Sequence, residues 1–199
     1  MKRLQPYLPW LAVLSCVVAA LAAAAGWEGY SHARHPLALL GTAAAPAPAW
    51  FNVFGFVLPG FVLAAAALWR WVELGAARRV VRIGMLLAAI SALAFAAQGL
   101  FPLDPERMEA AGSRQHALAW TLWWVAFVPG ATLLAFGNLR PGLVHALAAL
   151  ALPLSILALP LILPAPLAAR LAFALWFGWW LALSRGAPSV PGSRPPARR

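Results

Sequence analysis

Six runs of nearly unbroken apolar residues, each about as long as a bilayer is thick, constrain this chain more than anything else in it. They run from about Leu8 to Ala25, Trp50 to Trp71, Ile83 to Phe101, His116 to Phe136, Leu143 to Leu163 and Leu167 to Leu183. At a rise of about 1.5 Å per residue, each can cross a hydrocarbon core of about 30 Å, the last only just. Backbone in lipid must satisfy its own hydrogen bonds, so these runs are helices. With 63% hydrophobic and 10% charged residues and a mean hydropathy of +0.79, a soluble domain of 199 residues could not hide this much apolar surface. The expectation is an all-α integral membrane bundle of six transmembrane helices over residues 1–184. The Pro-, Ser-, Gly- and Arg-rich residues 185–199 cannot bury a core and read as a disordered basic tail.

Charge sets the expected orientation. One set of termini and loops holds Lys2, Arg3, Arg70, Arg78, Arg79, Arg82, Arg140, Arg185, Arg194, Arg198 and Arg199, and the opposite set holds Arg34, Arg107, Arg114 and Arg170. Eleven against four puts both termini in the cytoplasm of a bacterial inner membrane. Tryptophans at positions 10, 27, 50, 69 and 71 fall at span ends, where interfacial aromatics belong. Lys2-Arg3, an apolar run and Ala23-Ala24-Ala25 also resemble a secretory signal, but the run is longer than a signal core and a retained first helix fits better. The net charge of +10 flanks apolar runs and forms no stripe on a polar domain, which excludes a nucleic-acid partner and points to anionic head groups. The single cysteine, Cys16, lies within an apolar run and can form no internal disulfide.

The polar residues then carry the functional signal. Glu28, Asp104, Glu106, Glu109, His32, His35 and His116 all fall in two loops, or at their edges, on the expected outer face. Asn52 and Gln98 lie just inside the membrane beside them, where interhelical hydrogen bonding is the plain role and lining a cavity mouth the sharper one. Asp104-Pro105-Glu106 reads as a helix start, with Asp as N-cap, Pro in the first turn and Glu at the positive end of the dipole. The alternative is that Asp104 turns inward and orients His116 as a base. His116 is placed at the opening of the fourth helix, with Trp120, Trp123 and Phe127 below it on one face. That stripe is helix packing or the apolar wall of a binding site. His32 and His35 have i, i+3 spacing, which on a helix could hold one metal, but Pro36 argues against helix there and loop histidines are the plainer reading. His145 is expected at the inner surface, touching head groups or water, and Arg170 is expected to snorkel or reach an acid of the second outer loop.

Pro59, Pro129, Pro153 and Pro160 are expected to kink their spans. Two of them sit in similar strings, Phe56-Val57-Leu58-Pro59-Gly60 and Phe127-Val128-Pro129-Gly130, which hint at an internal repeat.

Several short motifs, in order, resemble a known family. They are His35-Pro36-Leu37-Ala38-Leu39-Leu40-Gly41, then Phe51-Asn52 with Gly60 further in, then Phe101-Pro102-Leu103-Asp104 with Ser113 and His116. Over roughly Gly26 to Gly130 the chain is similar to the bacterial membrane family "domain of unknown function 998". Members often carry Ser near the position of Ala38. The resemblance implies a six-helix bundle and a shared outer site near Asn52, Asp104 and His116, and no established reaction. A more distant similarity is to six-helix eukaryotic membrane proteins linked to lipid-anchor remodelling.

Three functions compete. The first is a non-catalytic membrane protein that binds a lipid or an envelope protein through an outer site built from Asn52, Gln98, Trp120, Trp123 and Arg114. The second is an intramembrane hydrolase or transferase acting on a lipid head group, with His116 as base, Asp104 as its partner and His32 or His35 as a metal ligand. The third is a transporter, which is the weakest because no ionisable residue lies at mid-membrane. Binding stands slightly ahead of catalysis, and the motifs name no cofactor.

Overall fold

The computed structural model describes residues 4–75, 78–137 and 142–185, all helix, turn and loop. Residues 186–199 of the basic tail and several cations used for orientation (Lys2, Arg3, Arg140) lie outside the described residues, while Arg185 is the last residue of a helix. Six helices are long and apolar enough to cross a membrane. We number them α1 (Leu8–Ala25), α2 (Pro48–Glu73), α3 (Arg79–Leu100), α4 (Ala111–Phe136), α5 (Gly142–Leu157) and α6 (Ala165–Arg185).

Each helix packs on its neighbour in sequence, and α1 returns to touch α6. The Arg185 guanidinium lies over the Trp10 ring, so α1 begins where α6 ends. At that same end Gln5 donates to the Glu73 carboxylate, and Arg82 stacks on Trp71. Trp10 and Trp50 are exposed at span ends, as an interfacial belt requires.

Between helices in lipid there is little hydrophobic driving force, so small residues that let backbones approach do much of the packing. α1 buries a stripe of Ala12, Cys16, Ala19 and Ala23. α3 is the centre of the bundle and buries Ala88, Ala89, Ala92 and Ala96. Gly60 of α2 lies so close to it that an added Cβ would stand 2.6 Å from the Ala92 carbonyl oxygen. Nearer the start of α3, Gly130 of α4 packs against Gly84 and Ala88. The two similar strings thus place a glycine at each of the two α3 interfaces.

An aromatic core fills the middle. Phe95 of α3 stacks on Trp176 of α6 with ring centroids 4.8 Å apart, and meets Phe56, Trp123, Phe173 and Phe177 at wider angles. Ser91 ties three helices together there. Its hydroxyl donates to the Trp123 carbonyl at 2.7 Å and accepts from the Trp176 indole at 3.2 Å. Sequence reasoning overlooked this residue.

The prolines act less uniformly than expected. Pro59 follows a π-helical segment, Asn52–Val57, whose wider turn accommodates the missing donor. Pro129 and Pro153 are interior to α4 and α5. Pro160 sits outside α5, in a single 3-10 turn, Leu159–Leu161, because its missing N–H ends the regular helix early. His145 is fully buried rather than at the surface, and its Nδ1 accepts the Trp179 indole N–H at 2.8 Å.

Candidate functional site

The end of the bundle opposite the termini holds a cavity of about 430 Å³. Phe56, Trp120 and Phe173 supply aromatic surface and Leu37 and Ala38 the side of the first loop. Ile156, Pro160, Ala165, Pro166 and Ala169 close it from α5, α6 and their connection. Gln98 and His116 are the polar residues among those that line it.

His116 is the sixth residue of α4, not its first, because the helix begins at Ala111. Residues Asp104 to Ala110 form turns, so the helix start expected at Asp104-Pro105-Glu106 falls instead at Ala111. The His116 Nδ1 stands 3.0 Å from both the Gln98 and the Phe101 carbonyl oxygens. Carbonyls only accept, so Nδ1 carries the proton and, in the neutral ring, Nε2 is an acceptor. α3 ends at Leu100, and carbonyls in a last helical turn lack helical partners. His116 therefore caps α3 from the neighbouring helix.

Asp104 does not pair with His116. Its Oδ2 accepts from Arg107 Nε at 2.9 Å and its Oδ1 from the Glu106 N–H at 3.2 Å. This is a turn of the Asx type, which a short acidic side chain closes on its own backbone. The Ser113 hydroxyl bonds to the Asp104 main chain, fixing the loop onto α4. The alternative reading, a carboxylate–histidine pair, thus gives way to two separate devices: Asp104 closes a turn rather than a helix, and His116 caps α3.

Asn52 is also spent on main chain. Its Nδ2 donates to the Gly41 carbonyl at 2.8 Å and holds the 3-10 turn Leu37–Gly41 against α2. Gly41 must lack a side chain, since a Cβ would overlap the Asn52 amide. Trp123 is fully buried in the aromatic core, below Trp120, and is not among the lining residues. Arg114 is exposed on α4 and does not line the cavity. Of the five residues expected to bind a ligand, Gln98 and Trp120 are at the cavity.

The histidine pair of the first loop is not arranged for a metal. The His35 Nδ1 accepts the Ser31 N–H at 3.0 Å. The His32 Nδ1 faces an Arg170 nitrogen at 3.4 Å, and a guanidinium repels a metal cation. Among the described residues no group of three or more His, Cys, Asp or Glu side chains could hold a metal. Arg170 departs from expectation as well. It reaches the first loop rather than an acid of the second, donating to the Tyr30 hydroxyl at 2.6 Å and to the His35 carbonyl at 2.8 Å. Burial raises the Tyr30 pKa against the opposing pull of Arg170. Burial first, and Arg170 second, lower that of His32. The Arg170 clasp spans 140 residues of sequence to Tyr30, so nothing local announces it; the one sign is a lone cation in an apolar span, which needs a partner.

Gln98 is 1% exposed, and its Nε2 has no hydrogen-bond partner. A buried amide donor left open beside a cavity is costly unless something fills the gap.

No curated protein and no solved structure matches this chain. A family model described as "Protein of unknown function (DUF998)" matches residues 10–190. That match covers nearly all six spanning helices and both loops of the site, and the chain belongs to the DUF998 family of multi-helix membrane proteins.

Proposed function

We propose that this protein holds a lipid, seated in the cavity between the ends of α2, α3, α4 and α6, on the outer face of a bacterial inner membrane. The observation that carries the reading is the cavity itself: about 430 Å³, floored by aromatic rings, with two buried polar groups at one level. Ligand pockets run from about 300 to 1,000 Å³ and combine an apolar wall with a few placed polar groups. The side formed by α5 and its connection to α6 points to entry from the bilayer. Leu157, Leu161 and Ile162 there are 62%, 83% and 78% exposed, an apolar rim suited to acyl chains. The outer placement follows from the charge asymmetry of the loops.

Two rival readings lose support. A hydrolase or transferase using His116 with Asp104 needs a pair that the turn at Asp104 has taken apart. A through-path for transport gains nothing from the void beside Arg70 at the opposite end, which at about 10 Å³ has space for no more than one water.

The test is the lipid content of the protein purified in native-lipid particles, read by native mass spectrometry. Wild type should retain a tightly held lipid, and Ala169→Trp, which fills the cavity from α6, should lose it while remaining folded. Equal lipid retention by the two proteins would refute a site in this cavity. No retained lipid in either would turn attention to an envelope protein partner.

A further inference from the structure

We infer that the cavity selects a neutral lipid carrying a free hydroxyl, of the mono- or diacylglycerol class, and rejects anionic phospholipids; this rests on the lipid-holding reading above. Three observations combine to give the chemistry.

The first is the fixed tautomer of His116. Two carbonyl oxygens at 3.0 Å bind the Nδ1 proton, so the neutral ring has no freedom to exchange its donor and acceptor nitrogens. The Nε2 lone pair can then be satisfied only by a donor. Ester, ether and ketone oxygens do not supply one, and a hydroxyl does.

The second is the open amide of Gln98. Its Nε2 is buried and unpartnered in the same wall, one helix over, and its own main-chain carbonyl is one of the two that hold His116. Whichever way the amide is turned, it offers a donor on one edge and an acceptor on the other. A hydroxyl has one proton to give and lone pairs to receive, so it satisfies the His116 acceptor directly and the Gln98 donor once that amide turns its Nε2 edge to the cavity.

The third is the charge of the lining. None of the lining residues is a Lys, Arg, Asp or Glu. Arg170 follows the lining residue Ala169, but its guanidinium is already bound to the carbonyls of His35 and Pro166 and to the Tyr30 hydroxyl. A phosphate brought here would meet the acceptor nitrogen of neutral His116 with no Lys or Arg among the lining residues to offset its charge, and an unpaired buried charge is strongly unfavourable. Phosphate recognition in proteins relies on forked or clustered cations, and the cavity has none among its lining residues.

The experiment is a competition on the full-length protein in delipidated nanodiscs, with dioleoylglycerol, its O-methyl ether and dioleoyl phosphatidic acid as the three probes. They share their acyl chains and differ only at the position that would face His116 and Gln98. Wild type should prefer the free alcohol over both others by at least about tenfold, the scale of one or two buried hydrogen bonds. His116→Leu and Gln98→Leu should bind alcohol and ether alike, with the acyl-dependent binding retained. The wild-type series needs no variant, so a poorly folding substitution leaves the test intact. If the ether binds wild type as tightly as the alcohol, or phosphatidic acid binds best, the hydroxyl assignment is wrong while the lipid site stands. If none of the three binds, the lipid site fails and the assignment with it.

Discussion

Replacing His116 with alanine should destabilise the bundle by about 1–3 kcal/mol, the cost of leaving one buried acceptor without a donor. The figure follows from how α3 ends. The Phe101 N–H takes the Ala97 carbonyl at 2.9 Å, so the helix satisfies that group itself. The Gln98 carbonyl relies on His116, and Gln98 is all but inaccessible to solvent. The second partner, the Phe101 carbonyl, belongs to a residue that is 36% exposed and can turn to water or head groups. One orphaned acceptor is therefore the appropriate count. His116→Gln restores a donor of similar reach and should recover most of the loss. The assay is unfolding in mixed micelles titrated with dodecyl sulfate, followed by tryptophan fluorescence. If alanine falls within about 0.5 kcal/mol of wild type, the range of an ordinary surface change, then the histidine does not cap α3 and its tautomer is not fixed as argued.

The two glycine interfaces and the first loop offer further checks. Gly60→Ala should cost about 1–3 kcal/mol, because the new methyl meets the main chain of Ala92 and Ala96, which cannot give way unless α2 and α3 move apart. Gly178→Ala, on α6 with nothing within 4 Å of the added carbon, should be neutral or gain up to about 1 kcal/mol in the same titration. Equal behaviour of the two variants would deny the close approach at Gly60. The His32 imidazole is held below its ordinary 6.5, so the undocked first loop takes up a proton before the docked one does. Docking on Arg170 is thus fully present above about pH 6.5 and weakens as pH falls from there through the lowered value. Hydrogen-exchange protection of Tyr30 to His35 should drop on acidification in wild type and stay level in His32→Asn; a level wild type would contradict the assignment.

The spans were legible because a bilayer demands an unbroken apolar run, and no tertiary detail alters that demand. Their limits and their polar contacts were less so. α4 begins five residues before His116, since the turn closed by Asp104 and Ser113 lets helix start within the loop. Asn52, Asp104 and His116 look like chemistry in the sequence, where a carboxylate, an amide and an imidazole near one level invite a catalytic reading. In the fold each is bound to backbone: Asn52 to Gly41, Asp104 to Glu106, His116 to Gln98 and Phe101. Sequence shows which groups can make hydrogen bonds but not which backbone carbonyls and N–H groups lack partners, and those orphans decided the pairing. The residues of α5 and α6 at the cavity, such as Ile156, Ala169 and Phe173, carry no chemical signature that would set them apart from other lipid-span residues. They become visible only once the bundle closes on itself.

The π-helical segment of α2 has a consequence for how this helix tolerates change. Each residue of an α-helix turns the chain by roughly 100°, so one residue more or less rotates everything upstream while barely altering the distance spanned. Phe51 and Asn52 reach the core and the Gly41 carbonyl in the phase that the segment sets. Val53 and Phe54, within it, turn their side chains outward and are 46% and 40% exposed. They act as spacers: other apolar residues should serve in place of Val53, and other aromatics in place of Phe54, whose ring meets Trp50, but removing either one would swing the Asn52 amide away from the loop it holds and open the first-loop side of the cavity. For these two positions, number matters more than identity.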